Sequence, residues 1–222
     1  LKRVLITGFD AFGNTPINPA QETAKAVDGT TVCDASIVGR VAPSLFFKSI
    51  EVVKDAITEV EPDVVIMLGE YGGRSMITVE RIAQNSNDSS RYKLADNDGV
   101  VLQGKPTVSG GPVAYYATLP IRAMVKAMRE AGIPSDISDT PGTNICNHLM
   151  YGILHYIAVS KLPIRAGWIH LPHLPSVAAM EQNLGAPSMS IDTSVSGVKA
   201  GIQAVLENTT DINEPILSRW QI

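Results

Sequence analysis

Cys146 stands in the segment PGTNICNHLMYGILHYIAV, residues 141 to 159, and is the side chain best placed in this sequence to do chemistry. The breaker pair Pro141-Gly142 ends one element, and a helical apolar spacing follows at Leu149, Met150, Ile153, Leu154, Ile157 and Ala158. That spacing predicts a helix whose first turn carries the thiol, with the cap-type residue Thr143 just ahead of it. N–H groups of a first turn lack intrahelical acceptors, and the helix dipole favours an anion there. A free cysteine titrates near ~8.5, so this position is expected to lower it and give a nucleophilic thiolate at neutral pH. A lone cysteine is by default a small buried apolar residue. The flexible turn before Cys146 is not needed merely to bury sulfur, and it favours a reactive thiol.

A thiol nucleophile needs a base that takes its proton and then returns one to the leaving group. The chain has four histidines. His148, two residues from Cys146, points away from it on a helix, and His155, nine residues on, lies about half a turn out of phase. Both read as structural or half-exposed. His170 ends the apolar run WIH just before LPHLP, where a side chain can reach over a sheet edge toward a helix N-terminus. It is the preferred base, and His173, in the loop after Pro172, is the fallback. A third group must orient the base, and spacing alone does not select it from 22 acidic residues. Glu80, in the strand-like TVERIAQN, is a carboxylate that needs either solvent or a partner.

These residues require a scaffold that gathers them. RVLIT, residues 3 to 7, is a short apolar run closed by Gly8, the pattern of a buried parallel strand. Asn18-Pro19 reads as the N-cap and first position of a helix PAQETAKAV. Residues 35 to 41 form a second strand, and Ser44 is expected to cap a helix that turns Leu45, Phe46, Ile50, Val53 and Ile57 inward. DVVIML, 63 to 68, is the most strand-like run, and 77 to 83 alternates as a further strand or ribbon. Residues 84 to 113 are polar, with turn signals at Asp98-Gly99 and Ser109-Gly110-Gly111-Pro112, and read as a flap-like excursion. A helix over 120–131, a strand over 133–138, the Cys146 helix, a strand over 165–172, a polar stretch over 176–190 and a helix over 194–207 complete the chain. No repeat or linker divides it, so one domain over residues 1 to 222 is expected. The alternation predicts an α/β fold, a three-layer sandwich around a twisted, mixed, largely parallel sheet. Sites in such sheets lie at the carboxyl ends of the strands. Gly8, Gly69, Cys146 and His170 all fall at or just past predicted strand ends.

Composition narrows the function classes. With 222 residues, 45% hydrophobic and 18% charged, the chain can fill a sizeable core. A net charge of −4 without a basic run argues against nucleic acid or an anionic membrane as partner. No apolar run approaches the ~18 residues that span a bilayer. The opening LKRVLITGF reads as a strand rather than a signal peptide. Cys33 and Cys146 are too few for a disulfide framework or a zinc site, so no metal or cofactor is expected and a reducing cytoplasm suits them.

Five segments add a resemblance: LITGFDAFGNTPINP at 5 to 19, LGEYGGRSMITVERIAQN at 68 to 85, GGPVAYYATLPI at 110 to 121, GTNICNHLMYG at 142 to 152 and GWIHLPHLP at 167 to 175. In this order and spacing the chain resembles the type I pyroglutamyl peptidases, cytosolic cysteine peptidases also called pyrrolidone-carboxylate peptidases. The resemblance implies a phosphorylase/hydrolase-like fold and a triad at Glu80, Cys146 and His170. It implies removal of N-terminal pyroglutamyl groups from peptides through a thioester, by a homotetramer. The oxyanion would be held in part by backbone N–H groups, the Cys146 amide being the obvious one and Arg91 a further candidate. The lactam site implied maps onto Phe9 and Phe12 with Asn18 nearby, and onto Glu70, Asn144 and Ile145. Val195, Val198 and Ile202 of the last helix fit either packing on the sheet or contacts between copies.

The chain departs from that family where Glu70 replaces a usual glutamine, Tyr71 a usual alanine, and Asn144 a usual aromatic residue that packs on the lactam ring. Losing an aromatic contact removes ~1 kcal/mol of binding beyond area effects. Three alternatives follow: an amidase with the same triad and a more polar pocket, a non-catalytic binding homologue, or a nucleoside-phosphorylase-like enzyme. The last lacks a basic phosphate loop, since GEYGGR offers only Arg74.

Overall fold

Strand β1 (Arg3–Phe9) shows how the sheet is made: after Arg3 every residue is buried, with Val4 and Ile6 on one face and Leu5 and Phe9 on the other. The structure, a computed structural model, describes residues 2–13 and 15–219. From β1 the chain runs through α1 (Pro19–Val27), β2 (Thr31–Val32), β3 (Ala35–Ala42), α2 (Lys48–Val60), β4 (Val64–Glu70), β5 (Ile77–Glu80), β6 (Ile82–Gln84) and β7 (Ala114–Tyr116). It continues through α3 (Ile121–Glu130), β8 (Ser135–Ser138), α4 (Ile145–Val159), β9 (Arg165–Leu171), α5 (Pro175–Ala178) and α6 (Ile191–Glu207).

Seven strands form one sheet in the order β2-β3-β1-β4-β9-β5-β8. The pairs β3/β1, β1/β4, β4/β9 and β5/β8 are parallel, whereas β2/β3 and β5/β9 are antiparallel. Helices α1, α3 and α6 cover one face, burying Ala20, Ala24, Met124, Met128, Val198 and Ile202. Helices α2 and α4 cover the other, burying Ile50, Val53, Leu149, Ile153 and Leu154 against Leu5, Met67 and Trp168. The chain is thus a single α/β domain with a mixed, largely parallel sheet between two helical layers, as the alternation predicts.

Several local expectations are corrected. Ser44 does not cap α2, which starts at Lys48 behind Phe47 (φ 60°). Instead the Ser44 amide and hydroxyl bond to Asp10, at 2.7 and 3.2 Å. Thr143 does not cap α4 either; Asn144 holds the N-cap position, without a side-chain capping bond. The 77–83 ribbon splits, because β5 belongs to the large sheet while β6 pairs with β7 in a separate two-stranded one. The polar 176–190 stretch contains most of a one-turn helix, α5, and α6 starts three residues earlier than expected, capped by Ser190. Val198 and Ile202 are fully buried and Val195 packs beside them, so these residues belong to the core rather than to a surface between copies. Among the described residues no helix is long and apolar enough to cross a membrane.

The 84–113 excursion connects β6 to β7 and is pinned onto α4. Asn147 bonds through its side chain to both the N–H and C=O of Gln84 and to Ser86 O, and Tyr151 donates to Pro112 O at 2.7 Å. Buried His148 accepts from the Phe47 amide at 2.9 Å and meets the Thr107 hydroxyl at 3.1 Å, which joins the excursion, α4 and the start of α2.

Candidate active site

Cys146 is the second residue of α4, so its amide lies in the first turn, where N–H groups have no intrahelical acceptor. The helix start abuts the carboxyl ends of β4 and β9, where Gly69 lies in register with His170. A Cβ at Gly69 would come within 2.6 Å of Trp168 Cζ2, 3.1 Å of Cys146 Sγ and 3.2 Å of His170 Cδ2. Only glycine leaves room for sulfur and imidazole to share that corner.

The antiparallel β5/β9 pairing sets Thr78 opposite His170, and Glu80, two residues on, shares the Thr78 face. His170 Nδ1 is 2.7 Å from Glu80 Oε1. The same oxygen accepts from Arg74 Nη1 at 2.7 Å and from the Thr78 hydroxyl at 3.2 Å. Arg74 further donates to the hydroxyls of Thr78 and of Ser138. Glu80 is completely buried and Arg74 nearly so. Desolvation pushes the Glu80 carboxyl up, but the His170 hydrogen bond and charge, with Arg74 and Ser138, outweigh it and hold the group below its ordinary value. An ionised Glu80 only accepts, so the proton of a neutral His170 sits on Nδ1 and leaves a lone pair on Nε2. Burial lowers the His170 value and Arg74 adds to this, against the pull of Glu80. His170 Nε2 is buried and has no hydrogen-bond partner among the described residues.

The thiol departs from expectation. Burial pushes Cys146 well above the ordinary cysteine value and the Glu80 carboxylate adds to that, while Arg74 and the residue's own amide pull the other way without prevailing. At rest the pair is therefore a neutral thiol beside a neutral imidazole.

A cavity of ≈ 260 Å³ opens onto Cys146 and His170. Phe9, Phe12, Asn18, Glu70, Asn144 and Ile145, all singled out in the sequence, line it. Both ends of the Asn18 amide are committed, Nδ2 to Asp10 O at 2.8 Å and Oδ1 to the Ala20 amide at 2.9 Å, so it braces the β1–α1 turn as the predicted N-cap of α1. Glu80 sits behind His170, outside the lining. Arg91 is exposed, with its guanidinium 5.2 Å from the Tyr92 ring centroid, and it too lies outside the lining.

Two further residues matter that residue spacing does not single out. Arg74 secures Glu80, and its only sequence signal is a basic residue after Gly72-Gly73. Tyr71 places its ring 3.9 Å from the Arg74 Cζ and edge-on to His170 at 5.3 Å, roofing the ion pair. His173, the fallback base, instead pairs with Glu70, Nδ1 to Oε1 at 2.7 Å. Burial raises the Glu70 carboxyl, and the His173 hydrogen bond and charge oppose the rise. His148 and His155 are far from this role: the first is buried at the excursion, the second meets the Tyr115 hydroxyl at 3.0 Å.

A thiol and an imidazole backed by a carboxylate, at the carboxyl edge of an α/β sheet, define the class of cysteine hydrolases. The pyroglutamyl peptidase family profile matches residues 2–208, and the chain belongs to that family. It is a cysteine exopeptidase of the pyroglutamyl-peptidase I type. A pyrrolidone-carboxylate peptidase of Mycobacterium bovis (strain BCG / Pasteur 1173P2) is 60% identical over 222 residues, covering 100% of both chains. Pyrrolidone-carboxylate peptidase 2 of Photorhabdus laumondii is 46% identical over 211 residues, 95% of this chain and 94% of that protein. Among solved structures, pyroglutamyl peptidase I of Bacillus amyloliquefaciens superposes with a TM-score of 0.91 at 38% identity, over 96% of this chain and 100% of that one. The pyrrolidone carboxyl peptidase of Thermococcus litoralis gives 0.91 at 35% identity, over 97% and 100%.

Proposed function

We propose that the removal of N-terminal pyroglutamate from peptides, the activity of this cysteine exopeptidase, is carried out by Cys146, His170 and Glu80. The observation that carries this reading is the buried Nε2 of His170, without a hydrogen-bond partner among the described residues, on a ring held by Glu80 through Nδ1 at the wall of the cavity that Cys146 lines. Nε2 takes the thiol proton as Sγ attacks the pyroglutamyl carbonyl carbon. The resulting imidazolium is stabilised by Glu80, and the oxyanion by the Cys146 amide in the first turn of α4. His170 then protonates the leaving amine, which departs with the shortened peptide and leaves a thioester. Water attacks the thioester with His170 again as base, releasing pyroglutamate and restoring the thiol.

Phe9, Phe12 and Ile145 supply apolar walls for the lactam ring, and Glu70 and Asn144 supply polar ones. Arg91 is set aside as an oxyanion donor because it is exposed and outside the cavity lining. The excursion over 84–113 contributes Tyr92 and Leu94 to the lining of the pocket. We further assign the chain to the cytoplasm, which two free cysteines suit, and to a homotetramer; light scattering at micromolar concentration that gave only monomer would overturn the latter. The decisive experiment is hydrolysis of a chromogenic pyroglutamyl amide by wild type and Cys146→Ala. Activity lost with an unchanged melting temperature supports the nucleophile. Turnover close to wild type in Cys146→Ala would remove it.

A further inference from the structure

Past the end of β9 a second imidazole–carboxylate pair, His173 with Glu70, stands beside the first, and the reaction described above makes no use of its imidazole. Glu70 is the only carboxylate lining the cavity among the described residues. Its Oε1 is bound to His173 Nδ1 at 2.7 Å, and both side chains are largely buried, 14% exposed for His173 and 10% for Glu70. His173 lies outside the cavity lining and binds Oε1, while Oε2 of Glu70 has no hydrogen-bond partner among the described residues.

The imidazole is held from three sides. Its backbone carbonyl accepts from the Met189 amide at 2.9 Å, in a bridge that pairs His173 with Ser188. Its ring lies against Gly72, where a Cβ would fall 2.2 Å from Nε2. Its Nδ1 holds Glu70. Such a buried and braced contact fixes a side chain rather than decorating a surface.

The pyroglutamyl ring brings one donor, the lactam N–H, and one acceptor, the lactam C=O. Of the other polar side chains around the cavity, Asn18 already holds Asp10 O and the Ala20 amide and Ser44 donates to Asp10 O, while Thr143 and Asn144 are neutral. Glu70 Oε2 is the charged acceptor that remains, and hydrogen bonds to an ionised acceptor are about twice as strong as neutral ones.

We propose that His173 is a positioning residue for the substrate: by holding Oε1 of Glu70 it presents Oε2 to the lactam N–H of the pyroglutamyl group. This rests on the pyroglutamyl reading of the site. His173 also supplies the donor that keeps the carboxylate in a partly apolar pocket. Without it the Glu70 side chain is free to turn toward solvent.

The test uses two amide substrates, the pyroglutamyl amide and its carbocyclic analogue, the 3-oxocyclopentanecarboxyl amide, in which CH₂ replaces the ring N–H. A hydrogen bond to a charged acceptor gives wild type a preference for the lactam of about 10- to 100-fold in kcat/KM. His173→Leu raises KM for the lactam about tenfold, leaves kcat within about threefold and narrows the preference toward unity. His173→Asn, whose amide can donate from nearly the place of Nδ1, restores most of it. Glu70→Leu shows the same loss, and adding His173→Leu to it changes nothing further. An unchanged lactam KM in His173→Leu, equal damage from Leu and Asn, or equal use of both substrates by wild type would each overturn the proposal. Should His173→Leu fail to fold, the Asn and Glu70 variants and the substrate pair still decide it. Failure of wild type to hydrolyse the lactam amide at all would instead overturn the reading beneath it, and the proposal with it.

Discussion

Replacing Glu80 by glutamine changes charge while conserving shape, and the structure sets the size of the effect. Three donors converge on one oxygen, Oε1: His170 Nδ1 and Arg74 Nη1 at 2.7 Å and the Thr78 hydroxyl at 3.2 Å. A glutamine that turned its NH₂ toward them would face three donors, so its carbonyl oxygen takes that place and the imidazole keeps its proton on Nδ1. In serine peptidases the comparable amide replacement lowers kcat by ~10⁴ because the wrong tautomer results. Here only the charge is lost. Bonds to ionised acceptors contribute about 1.5–3 kcal/mol against about 0.5–1.5 for neutral ones, a difference of ~1–2 kcal/mol in stabilising the imidazolium. Glu80→Gln should therefore lower kcat by about 5- to 30-fold. His170→Ala removes the base itself and should lower kcat by ~10²–10⁴. Stability should suffer more than rate. Arg74 loses its buried counter-ion, which for such pairs costs about 3–5 kcal/mol, and the new amide nitrogen takes the place of Oε2, which has no partner among the described residues. The assay is steady-state turnover of a pyroglutamyl amide at 25 °C, alongside thermal melts of both variants. A folded Glu80→Gln enzyme as slow as His170→Ala would refute the claim that converging donors preserve the tautomer.

Gly69→Ala puts a methyl 2.6 Å from Trp168 Cζ2 and 3.1 Å from Cys146 Sγ, so kcat should fall at least about tenfold with the circular dichroism spectrum unchanged; full activity would mean that the corner yields. Asn144→Phe should lower KM for pyroglutamyl amides by about tenfold, equivalent to ~1.4 kcal/mol, with kcat constant because ring packing is present in ground and transition states alike; an unchanged KM excludes ring packing at that position. Burial lowers His148 from 6.5 to about 4, so its contribution to stability is complete above pH 6.5 and is lost as pH falls toward 4. That loss is about 3 kcal/mol, and urea unfolding of His148→Gln should show a correspondingly flatter pH dependence; parallel curves for the two proteins would exclude it.

The residues that sit at element ends were readable from local pattern. Cys146 follows a breaker pair and opens an apolar helix, and His170 closes an apolar strand, so turn chemistry and periodicity place both. Glu80 could not be reached that way. Its partner is fixed by the antiparallel β5/β9 register, which sets Thr78 opposite His170 across 92 residues of chain. The family resemblance selected it; spacing did not. Arg74 escaped for the same reason, being a loop residue that acquires its role from Glu80. Ser44 and Thr143 have capping chemistry but spend it elsewhere, Ser44 on Asp10 and Thr143 on Asp88 O. The thiol was misjudged because a helix-start argument counts the local dipole alone, while burial and the Glu80 charge arrive through tertiary structure.

The neutral resting pair changes how the site must work. An ion pair formed in advance would need no trigger, whereas a neutral thiol beside a neutral imidazole separates charge only as Sγ meets an electrophile. Charge is stored one layer back: Glu80 stabilises the imidazolium once it forms, while Arg74 keeps that carboxylate ionised and itself opposes the imidazolium. Recognition is tied to that layer through the same strand ladder. Gly69 and Glu70 of β4 lie in register with His170 and Leu171 of β9, so the residue that admits sulfur to the imidazole and the residue that faces the lactam are neighbours on one strand. The two imidazoles that hold the two carboxylates are separated only by Leu171 and Pro172 on the other. Sites carried on paired strands keep their geometry better than sites on loops. A lactam anchored at Glu70 is therefore set at a fixed offset from Cys146 and His170, and displacing the ring at one end of that ladder misplaces its carbonyl at the other.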